Sequence, residues 1–336
     1  MEYVELVEKS DSIHINPRQM EKLLFELSEG EQRKIDVQRK IGLPDSVTKA
    51  LRSEFEDVVY FNNDRIGIMP DKISNIKELR EKRHETDDHV EKDLKLSVKE
   101  LARIDESRTR SKRGIDQFRG TPETVANRAR FLYERGEVEC RSIMCMGDND
   151  MVSVALGLTC QAEDITVFDL DKDLLNSIND ANNDLNLDIQ CVKYDAMNQL
   201  YESYRNKFDV AVTDPPYTRK GMSVFIARCI EGIGRENGSV LISFGYSPRS
   251  NERALPFQEY LSESGLVIEE LVPGFNRYYG ASSIGCQSSI YLCRFSPKTR
   301  PVIGKGTKGS LYTGMKPHSK HERRQTKIEL KNFQSL

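Results

Sequence analysis

The chain has 336 residues, of which 31% are charged, and its formal net charge at pH 7 is -3. This near balance excludes the strongly basic composition of a general polyanion-binding protein, and no run of eighteen apolar residues predicts a transmembrane helix. Because Met1–Ser10 also lacks the basic and then apolar pattern of a signal peptide, we expect a cytoplasmic protein with no membrane partner.

The seven cysteines argue against a metal site. None of them forms a C-x-x-C pair, and several lie within apolar runs that are typical of strands. We therefore predict that most are reduced residues of the core, and we expect neither a zinc site nor any other metal site.

Residues 1–72 are predicted to form a winged-helix-like domain. Asn16 and Pro17 are suited to cap and begin a helix. The predicted elements are helices over Pro17–Glu29, Gln32–Ile41 and Asp45–Phe55, followed by a hairpin of Val58–Phe61 with Arg65–Ile68. The last of these helices carries only Lys49 and Arg52 as basic residues. Because DNA binding needs several phosphate contacts, a structural or dimerisation role is favoured, and we expect a homodimer and no nucleic-acid partner.

Two segments are rich in charge and poor in large apolar residues. Residues 73–113 are predicted to be a charged linker between domains; the alternative is a charged helix that packs on the first domain. Ser296–Leu336 holds ten Lys/Arg and two Glu, so residues 297–336 are predicted to be a basic, flexible tail. That tail is either simply solvated, or contacts an anionic surface, or covers the site.

Between these segments, residues 114–296 alternate between helix and strand patterns. The predicted strands are Ser142–Met146, Ile165–Phe168, Ile189–Val192, Val210–Val212, Ser239–Phe244, Val267–Val272 and Ser289–Phe295. Helices are predicted between them, including one over Asn198–Tyr204. This order predicts an α/β fold with a seven-stranded, methyltransferase-like (Rossmann-type) sheet.

A candidate reaction centre follows the fourth strand of that sheet. Asp214 stands where this strand ends, and Pro215 and Pro216 keep the next residues out of a helix. The Asp214 carboxylate and the Pro215 carbonyl are two acceptors that can hold an amine, and Tyr217 adds an aromatic face and a hydroxyl. The sequence Asp-Pro-Pro-Tyr is typical of amino-methyltransferases and of their aminopropyl-transferring relatives. The alternative is a simple Asp-Pro turn that closes the strand.

Other polar residues follow neighbouring strands. Asp169 is placed to accept the hydroxyls of a ribose, and Asp195 is placed against the amino group of an adenine. Gly147 allows the first loop to approach a ligand closely. Asp171 is a candidate helix cap, which is also the alternative role of the other strand-end aspartates.

The loop after the first strand departs from the usual glycine-rich pattern. Gly147 is its one glycine, and Asp148 and Asp150 follow. Two carboxylates are expected to repel a methyl donor's α-carboxylate and to attract a decarboxylated donor. At roughly 4 Å and an effective dielectric of about 20, each unit charge pair is worth about 4 kcal/mol before desolvation.

Several short motifs occur together in this chain. They are Asp116-Gln117, Thr121-Pro122-Glu123-Thr124, Met146-Gly147-Asp148-Asn149-Asp150, Asp169-Leu170-Asp171, Thr213-Asp214-Pro215-Pro216, Phe275-Asn276 and Tyr278-Tyr279-Gly280. In combination, and over about residues 114–295, they resemble the branched-chain polyamine synthases, which are N4-bis(aminopropyl)spermidine synthases.

The resemblance implies transfer of aminopropyl groups from decarboxylated S-adenosylmethionine to the secondary nitrogen of spermidine, with release of 5′-methylthioadenosine. The donor is then a co-substrate, and no bound cofactor is expected. Asp150 matches the family's catalytic aspartate and would accept the proton, directly or through water, while Asp214 helps to orient the amine. Tyr278 and Tyr279 would wall the polyamine channel; the alternative for both is ordinary aromatic packing.

The chain differs from the family pattern at two positions. Asn149 replaces the middle aspartate of the first loop, and Tyr217 is more typical of amino-methyltransferases. Two rival functions therefore stay open: methylation of an amine on nucleic acid, and a regulatory DNA binder that senses a metabolite.

Overall fold

A computed structural model describes residues 2–108, 118–234, 236–303 and Leu311. The motif residues Asp116 and Gln117 and most of the predicted basic tail lie outside the described residues.

The N-terminal region combines four helices with a small antiparallel sheet. Its elements are α1 (Tyr3–Ser12), α2 (Pro17–Ser28), β1 (Gln32–Arg33), α3 (Lys34–Ile41), α4 (Asp45–Glu54), β2 (Val59–Asn62) and β3 (Arg65–Ile68), and the strand order is β1-β3-β2. The predicted cap of α2 is confirmed, because the Asn16 side chain accepts a hydrogen bond from the Arg18 amide at 2.8 Å. Helix α1 was not predicted, and the winged-helix assignment of this region stays a prediction.

A single helix, α5 (Ile73–Ser107), occupies most of the predicted linker. Its first turns bury Ile76 in the N-terminal core, and its later turns bury Leu94 and Leu101 in the core of the large sheet. Arg83 strengthens this connection, because its guanidinium donates to Glu21 of α2 at 2.8 Å and to Glu139 at 2.6 Å. The charged segment is therefore a continuous helix that packs against both cores.

The large sheet has seven strands in the order β6-β5-β4-β7-β8-β10-β9. The strands are β4 (Ser142–Met146), β5 (Asp164–Asp169), β6 (Ile189–Lys193), β7 (Val210–Thr213), β8 (Ser239–Phe244), β9 (Val267–Arg277) and β10 (Gln287–Arg294). Strands β4 to β8 are parallel, and β10 pairs antiparallel with β8 and β9. The predicted α/β fold with a seven-stranded sheet is confirmed.

Helices cover both faces of this sheet. They are α6 (Pro122–Glu134), α7 (Val152–Leu158), α8 (Lys172–Asp184), α9 (Arg219–Gly232) and α10 (Leu255–Glu263). Alternate residues of β4 belong to two different cores: Ile143 packs with α5, α6, α7 and α8, whereas Met144 packs with α9 and α10. This alternation is the two-residue period of a strand buried on both faces.

Two predicted boundaries were wrong. The helix expected over Asn198–Tyr204 is only a short 3₁₀ turn at Glu202–Tyr204, because the Tyr194 hydroxyl binds the Asn198 carbonyl at 2.6 Å and the Glu231 carboxylate binds the Leu200 amide at 3.1 Å. Strand β9 also continues five residues beyond its predicted end at Val272, through irregular pairing with β10.

Candidate functional site

A cavity of about 750 Å³ opens at the carboxyl ends of the parallel strands. It lies where the strand order reverses, since β4 has β5 on one side and β7 on the other. In open α/β sheets this is the usual position of a ligand site. The cavity brings together most of the predicted site residues: Gly147, Asp148, Asp150, Asp169, Asp195, Asp214, Pro215, Tyr217 and Tyr278.

Tyr279 is the predicted site residue that does not line the cavity. Its side chain is 62% exposed, and its backbone amide donates to the Arg119 carbonyl at 2.8 Å. Its neighbour Tyr278 is buried and points to Asp214. The role of Tyr279 as a wall of the polyamine channel stays a prediction, which this position does not support.

The lining of the cavity is strongly acidic. In the described part of the lining, seven aspartates stand against three cationic side chains, which are Arg128, Lys172 and Arg253. Such a lining favours a positively charged ligand.

The loop after β4 is shaped by Gly147. Its φ of +72° lies in the left-handed region, and a Cβ at this position would lie 2.8 Å from the Phe225 ring. A larger residue would therefore strain the backbone and also displace Phe225.

Asp148 is mainly the cap of α7. Its carboxylate accepts hydrogen bonds from the amides of Val152 at 2.8 Å and Ser153 at 3.1 Å. Burial raises the pKa of Asp148 to about 7, although these hydrogen bonds oppose the rise. Asp148 therefore carries a full negative charge only above neutral pH, and it repels a donor carboxylate less than the sequence alone suggested.

Asp169 and Asp195 are held by backbone groups at the ends of β5 and β6. Asp169 Oδ1 accepts from the Asp171 amide at 2.7 Å, and Asp195 Oδ1 accepts from the Met197 amide at 2.9 Å. Burial raises the pKa of Asp169 to about 6. The candidate cap Asp171 is confirmed, because its side chain accepts from the Asp173 amide at the start of α8.

The two predicted catalytic aspartates share one arginine. Arg128 of α6, only 2% exposed, donates to Asp150 Oδ2 at 2.6 Å and to Asp214 Oδ2 at 3.2 Å. Asp214 Oδ2 also accepts from the Tyr278 hydroxyl at 2.6 Å. The acids of the first loop and of the Asp-Pro-Pro turn thus face one cavity, but a buried cation lies between them.

Further polar residues hold the Arg128 guanidinium and the Tyr278 hydroxyl in place. Asn276 of β9 is fully buried; its Oδ1 accepts from Arg128 Nε at 2.8 Å, and its amide nitrogen donates to the hydroxyls of Ser243 and Ser288. Ser288 also contacts the Tyr278 hydroxyl at 2.8 Å. Each polar group is satisfied, which is required for a buried polar network to be rigid.

These contacts set the acidity of Asp214. Burial raises its pKa to about 6, Arg128 opposes the rise, and Asp150 adds to it. Burial and the neighbouring Asp214 also raise the pKa of Tyr278, which therefore stays a hydrogen-bond donor at neutral pH.

The family can now be assigned. The sequence profile described as branched-chain polyamine synthase A C-terminal domain matches residues 96–297. The chain belongs to this family. The resemblance seen in the sequence motifs is confirmed.

Curated relatives agree with this assignment. An uncharacterised protein of Methanocaldococcus jannaschii is 36% identical over 201 residues, which are 60% of this chain and 50% of that protein. The N(4)-bis(aminopropyl)spermidine synthase of the same organism is 29% identical over 55% of this chain and 53% of that protein. The protein of the same name from Thermococcus kodakarensis is 30% identical over 49% of this chain and 47% of that protein. The chain thus spans about half the length of the curated relatives it matches.

A solved structure shares the fold over nearly the whole chain. It is the branched-chain polyamine synthase from Thermus thermophilus in complex with N4-aminopropylspermidine and 5′-methylthioadenosine. It has a TM-score of 0.58 and is 15% identical, and the match covers 94% of this chain and 98% of that chain. At this identity the likeness concerns the fold alone.

Arg128 was not predicted from the sequence, although it is central to the site of this family member. One local signal was available: Arg128 follows Val125 by three positions and precedes Leu132 by four, so it lies on the buried stripe of α6. An arginine on such a stripe is rarely buried unless it is paired. The sequence could not show which acids pair with it.

Proposed function

We propose that the protein is an aminopropyltransferase that acts on polyamines. Its donor is decarboxylated S-adenosylmethionine, its acceptor is the secondary amine of spermidine, and its products are an N4-branched polyamine and 5′-methylthioadenosine. The observation that carries this proposal is the acidic cavity at the point where the strand order reverses, with Asp150 and Asp214 facing it in a chain of this family. Both proposed substrates are cations, as this lining requires.

The nucleoside part of the donor is assigned to the β5 and β6 side of the cavity. Asp169 is assigned to the ribose hydroxyls and Asp195 to the adenine amino group, by analogy with other wound nucleotide sites, and both residues line the cavity. The Gly147 loop then lies against the sulfonium end of the donor. This arrangement directs the aminopropyl group toward Asp214.

The acceptor amine is assigned to the β7 side, between the Asp214 carboxylate and the Pro215 carbonyl. Its nitrogen lone pair attacks the aminopropyl carbon bonded to sulfur. A C–N bond forms as the C–S bond breaks, and the bonding pair returns to sulfur to give the neutral thioether. The new ammonium group then gives its proton to a carboxylate of the site. Because sulfonium is a good leaving group, positioning supplies most of the rate enhancement.

The aromatic side chains around Asp214 are assigned to the acceptor. The Tyr217 ring packs on Phe244 with ring centres 4.9 Å apart, and its hydroxyl lies 3.4 Å from Asp214 Oδ1. Tyr278 adds its hydroxyl to the other carboxylate oxygen. Both rings thereby limit the directions from which an amine can reach Asp214.

The direct test is mass spectrometry of the products. The protein is incubated with spermidine and either decarboxylated S-adenosylmethionine or S-adenosylmethionine. We expect one or two aminopropyl additions with the first donor, an equivalent amount of 5′-methylthioadenosine, and no methyl addition with the second donor. The matched control is Asp214→Asn, which keeps the size of the side chain and should lose turnover. Methyl addition, or the absence of product with both donors, would contradict the proposal.

One alternative is favoured by a specific residue. Tyr217 after Asp-Pro-Pro suits an S-adenosylmethionine-dependent amino-methyltransferase that acts on nucleic acid. That function predicts binding to RNA or DNA that weakens steeply with salt. A filter-binding titration at two salt concentrations separates the two functions, and we expect no such binding.

We also propose that the protein is a homodimer. Strand β9 is an edge of the described sheet, and Val267, Ile268 and Leu271 on it are exposed. An edge strand with unpaired backbone groups and apolar side chains is suited to pair with a second copy. We expect light scattering to give a dimer and the variant Leu271→Lys to give a monomer. A monomeric wild-type protein would refute this proposal.

The proposed location is the cytoplasm, where the polyamine substrates and reduced thiols are expected. The seven cysteines are all described and form no disulfide. Among the described helices, none combines the length and apolar character needed to cross a bilayer. Cell fractionation tests this location, and recovery in a membrane pellet would contradict it.

A further inference from the structure

We propose that Arg108, which directly follows α5, is a positioning residue for the acidic loop after β4, residues 147–150. By holding Asn149, it fixes the place of the predicted catalytic residue Asp150. This inference rests on the proposed aminopropyl transfer and keeps the role that the family resemblance gives to Asp150. It assigns the end of α5 a task in catalysis, in addition to joining the two cores.

Arg108 binds Asn149 at two points. Its Nη1 donates to the Asn149 carbonyl at 3.0 Å, and its Nη2 donates to Asn149 Oδ1 at 3.3 Å. Because these nitrogens belong to the rigid fork of one guanidinium group, the main chain and the side chain of Asn149 are held together. Asn149 belongs to the described lining of the cavity and Arg108 does not. Arg108, with 7% of its side chain exposed, therefore acts on a substrate through the loop.

The contact with the Asn149 carbonyl reaches Asp150 through one peptide group. A peptide group is planar, so the Asn149 carbonyl and the Asp150 nitrogen turn as one unit. Fixing the carbonyl therefore fixes the direction in which the chain enters Asp150. The Asp150 carboxylate then meets its own donors, which are the Gly120 amide at 2.7 Å and Arg128 Nη1 at 2.6 Å. A displaced loop would loosen both of these hydrogen bonds.

The loop needs support because the backbone beside it is strained. Met151, the residue after Asp150, has a φ of +61°, in the left-handed region that non-glycine residues rarely adopt. Such a conformation persists only where the surrounding contacts impose it. Asp148 supplies contacts toward α7 through the Val152 and Ser153 amides. Arg108 supplies a contact from a different element, the end of α5.

Asp105 links Arg108 to a second support of Asp150. It lies one turn earlier on α5, and its Oδ1 is 3.5 Å from Arg108 Nη1 and 3.4 Å from Arg119 Nη1. Arg119 precedes Gly120, whose amide donates to Asp150. The end of α5 is thus connected to Asp150 from two directions, through the acidic loop and through the segment that carries Gly120.

The charge of Arg108 suits this position. Burial, and after it the nearby Arg119, lowers the pKa of Arg108, whereas the carboxylates around it, Asp150 and Asp148 among them, oppose this change. An arginine stays charged in proteins. One cation therefore stands beside the two carboxylates that flank Asn149, and it reduces their mutual repulsion.

The test separates kcat from binding in variants of Arg108. Arg108→Met should lower kcat by about 10- to 100-fold, because a misplacement of about 1 Å near the reacting atoms can cost 100-fold. Binding of 5′-methylthioadenosine, measured by calorimetry, should stay close to that of the wild type, because the nucleoside side at Asp169 and Asp195 is unchanged. Arg108→Lys keeps the charge and one donor, so it should recover part of kcat.

A double-mutant cycle tests whether Arg108 acts through Asn149. Asn149→Ala removes the side-chain contact and keeps the carbonyl contact, so kcat should fall less than in Arg108→Met. Combining the two changes should lower kcat no further than Arg108→Met alone, because both remove the same interaction. The matched control is Arg103→Met on the same helix. Arg103 is 55% exposed and pairs with Glu100, and its loss should leave kcat unchanged.

Amide hydrogen exchange reports the order of the loop without turnover. The Gly120 amide is bonded to Asp150, and the Val152 amide is bonded to Asp148. Both should exchange faster in Arg108→Met and at the wild-type rate in Arg103→Met. If the wild type transfers no aminopropyl group, the proposed function fails, and this exchange still tests the hold of Arg108 on the loop.

Two outcomes would overturn the inference. One is a kcat in Arg108→Met equal to that of the wild type, or loop amides whose exchange does not change. The other is a fall in kcat accompanied by an equal loss of 5′-methylthioadenosine binding and by faster exchange throughout the chain, because Arg108 would then be merely structural. If Arg108→Met does not fold, Arg108→Lys and Asn149→Ala decide the question by the same measurements.

Discussion

Replacing Asp148 by asparagine should make the protein's stability less dependent on pH. Asp148 is 4% exposed, and burial raises its pKa from 3.8 to about 7. An acid whose pKa is higher in the folded state binds its proton more tightly there, so folding becomes less favourable as pH rises between the two values. The free energy of unfolding is therefore highest at acidic pH and falls as the pH rises to about 7.

The size of the effect follows from the same values. Each pH unit in this window lowers the free energy of unfolding by about 1.4 kcal/mol. Between pH 5 and pH 8 the ionisation of Asp148 should therefore lower the free energy of unfolding by roughly 2–3 kcal/mol. Asp148→Asn loses this dependence, although the amide has one acceptor oxygen and so gives up one of the two hydrogen bonds to α7, which costs about 1 kcal/mol at every pH.

Urea unfolding at pH 5 and pH 8 measures this directly. The stability of Asp148→Asn relative to the wild type should improve by roughly 2–3 kcal/mol between the two values. Asp148→Ser is the matched control, because serine is also an uncharged cap and should show the same relative change. Relative stabilities that do not change with pH in either variant would refute the reasoning about burial.

Three further changes probe the supports of the site. Arg228→Met should raise the KM for the donor with little change in kcat, because Arg228 donates to the Ala196 carbonyl, beside Asp195, at 3.0 Å. Steady-state kinetics measures both constants, and an unchanged KM would contradict this role. Gly147→Ala should lower the free energy of unfolding by about 1–2 kcal/mol because of the positive φ of this residue. It should also weaken donor binding, because the new Cβ would displace the Phe225 ring. Adding Phe225→Leu to this variant should restore donor binding only in part, and calorimetry measures both effects. Arg83→Met should lower the free energy of unfolding by about 2–3 kcal/mol, because it removes one of the two guanidinium groups that pair with Glu21 and Glu139 and leaves that of Arg18. A loss below about 1 kcal/mol in urea unfolding would argue against a buried network.

Local sequence was sufficient to locate Asp214 and Gly147, which both line the cavity, while their roles stay predictions. Asp214 was found because β7 is a short apolar run that ends at two prolines, and both signals lie within a few residues. Gly147 was found because a lone glycine follows an apolar strand. The order of strands then placed both residues at the same edge of the sheet.

The parts that depend on distant pairing were not predictable from one sequence. Arg128 lies 148 residues before Asn276, and only the folded chain brings them together. The end of β9 was missed because Pro273 and Gly274 usually stop a strand. An irregularity in the pairing with β10 carries the strand past them, which brings Asn276 to the site.

Helix α5 shows how a charged composition can hide an apolar stripe. Its many charges favoured a linker, with a charged packed helix as the alternative. Leu94, Leu101 and Ile104 are separated by seven and three positions, which is the spacing of one helix face. A narrow stripe is sufficient here because the helix is also held by the buried ion pairs of Arg83.

In the folded chain, the charges of the first loop differ from those expected from the sequence, because Arg128 lies beside them. The sequence suggested that Asp148 and Asp150 each contribute a full charge pair, worth about 4 kcal/mol. In the folded chain Asp150 is paired with Arg128, and burial leaves Asp148 partly protonated at neutral pH. Discrimination against a donor carboxylate must then come from the whole acidic lining, in which Asp214 is the charge proposed to lie beside the reacting nitrogen. A single substitution in the first loop should therefore not change the proposed aminopropyl transfer to methyl transfer, and product analysis of Asp148→Asn with S-adenosylmethionine tests this.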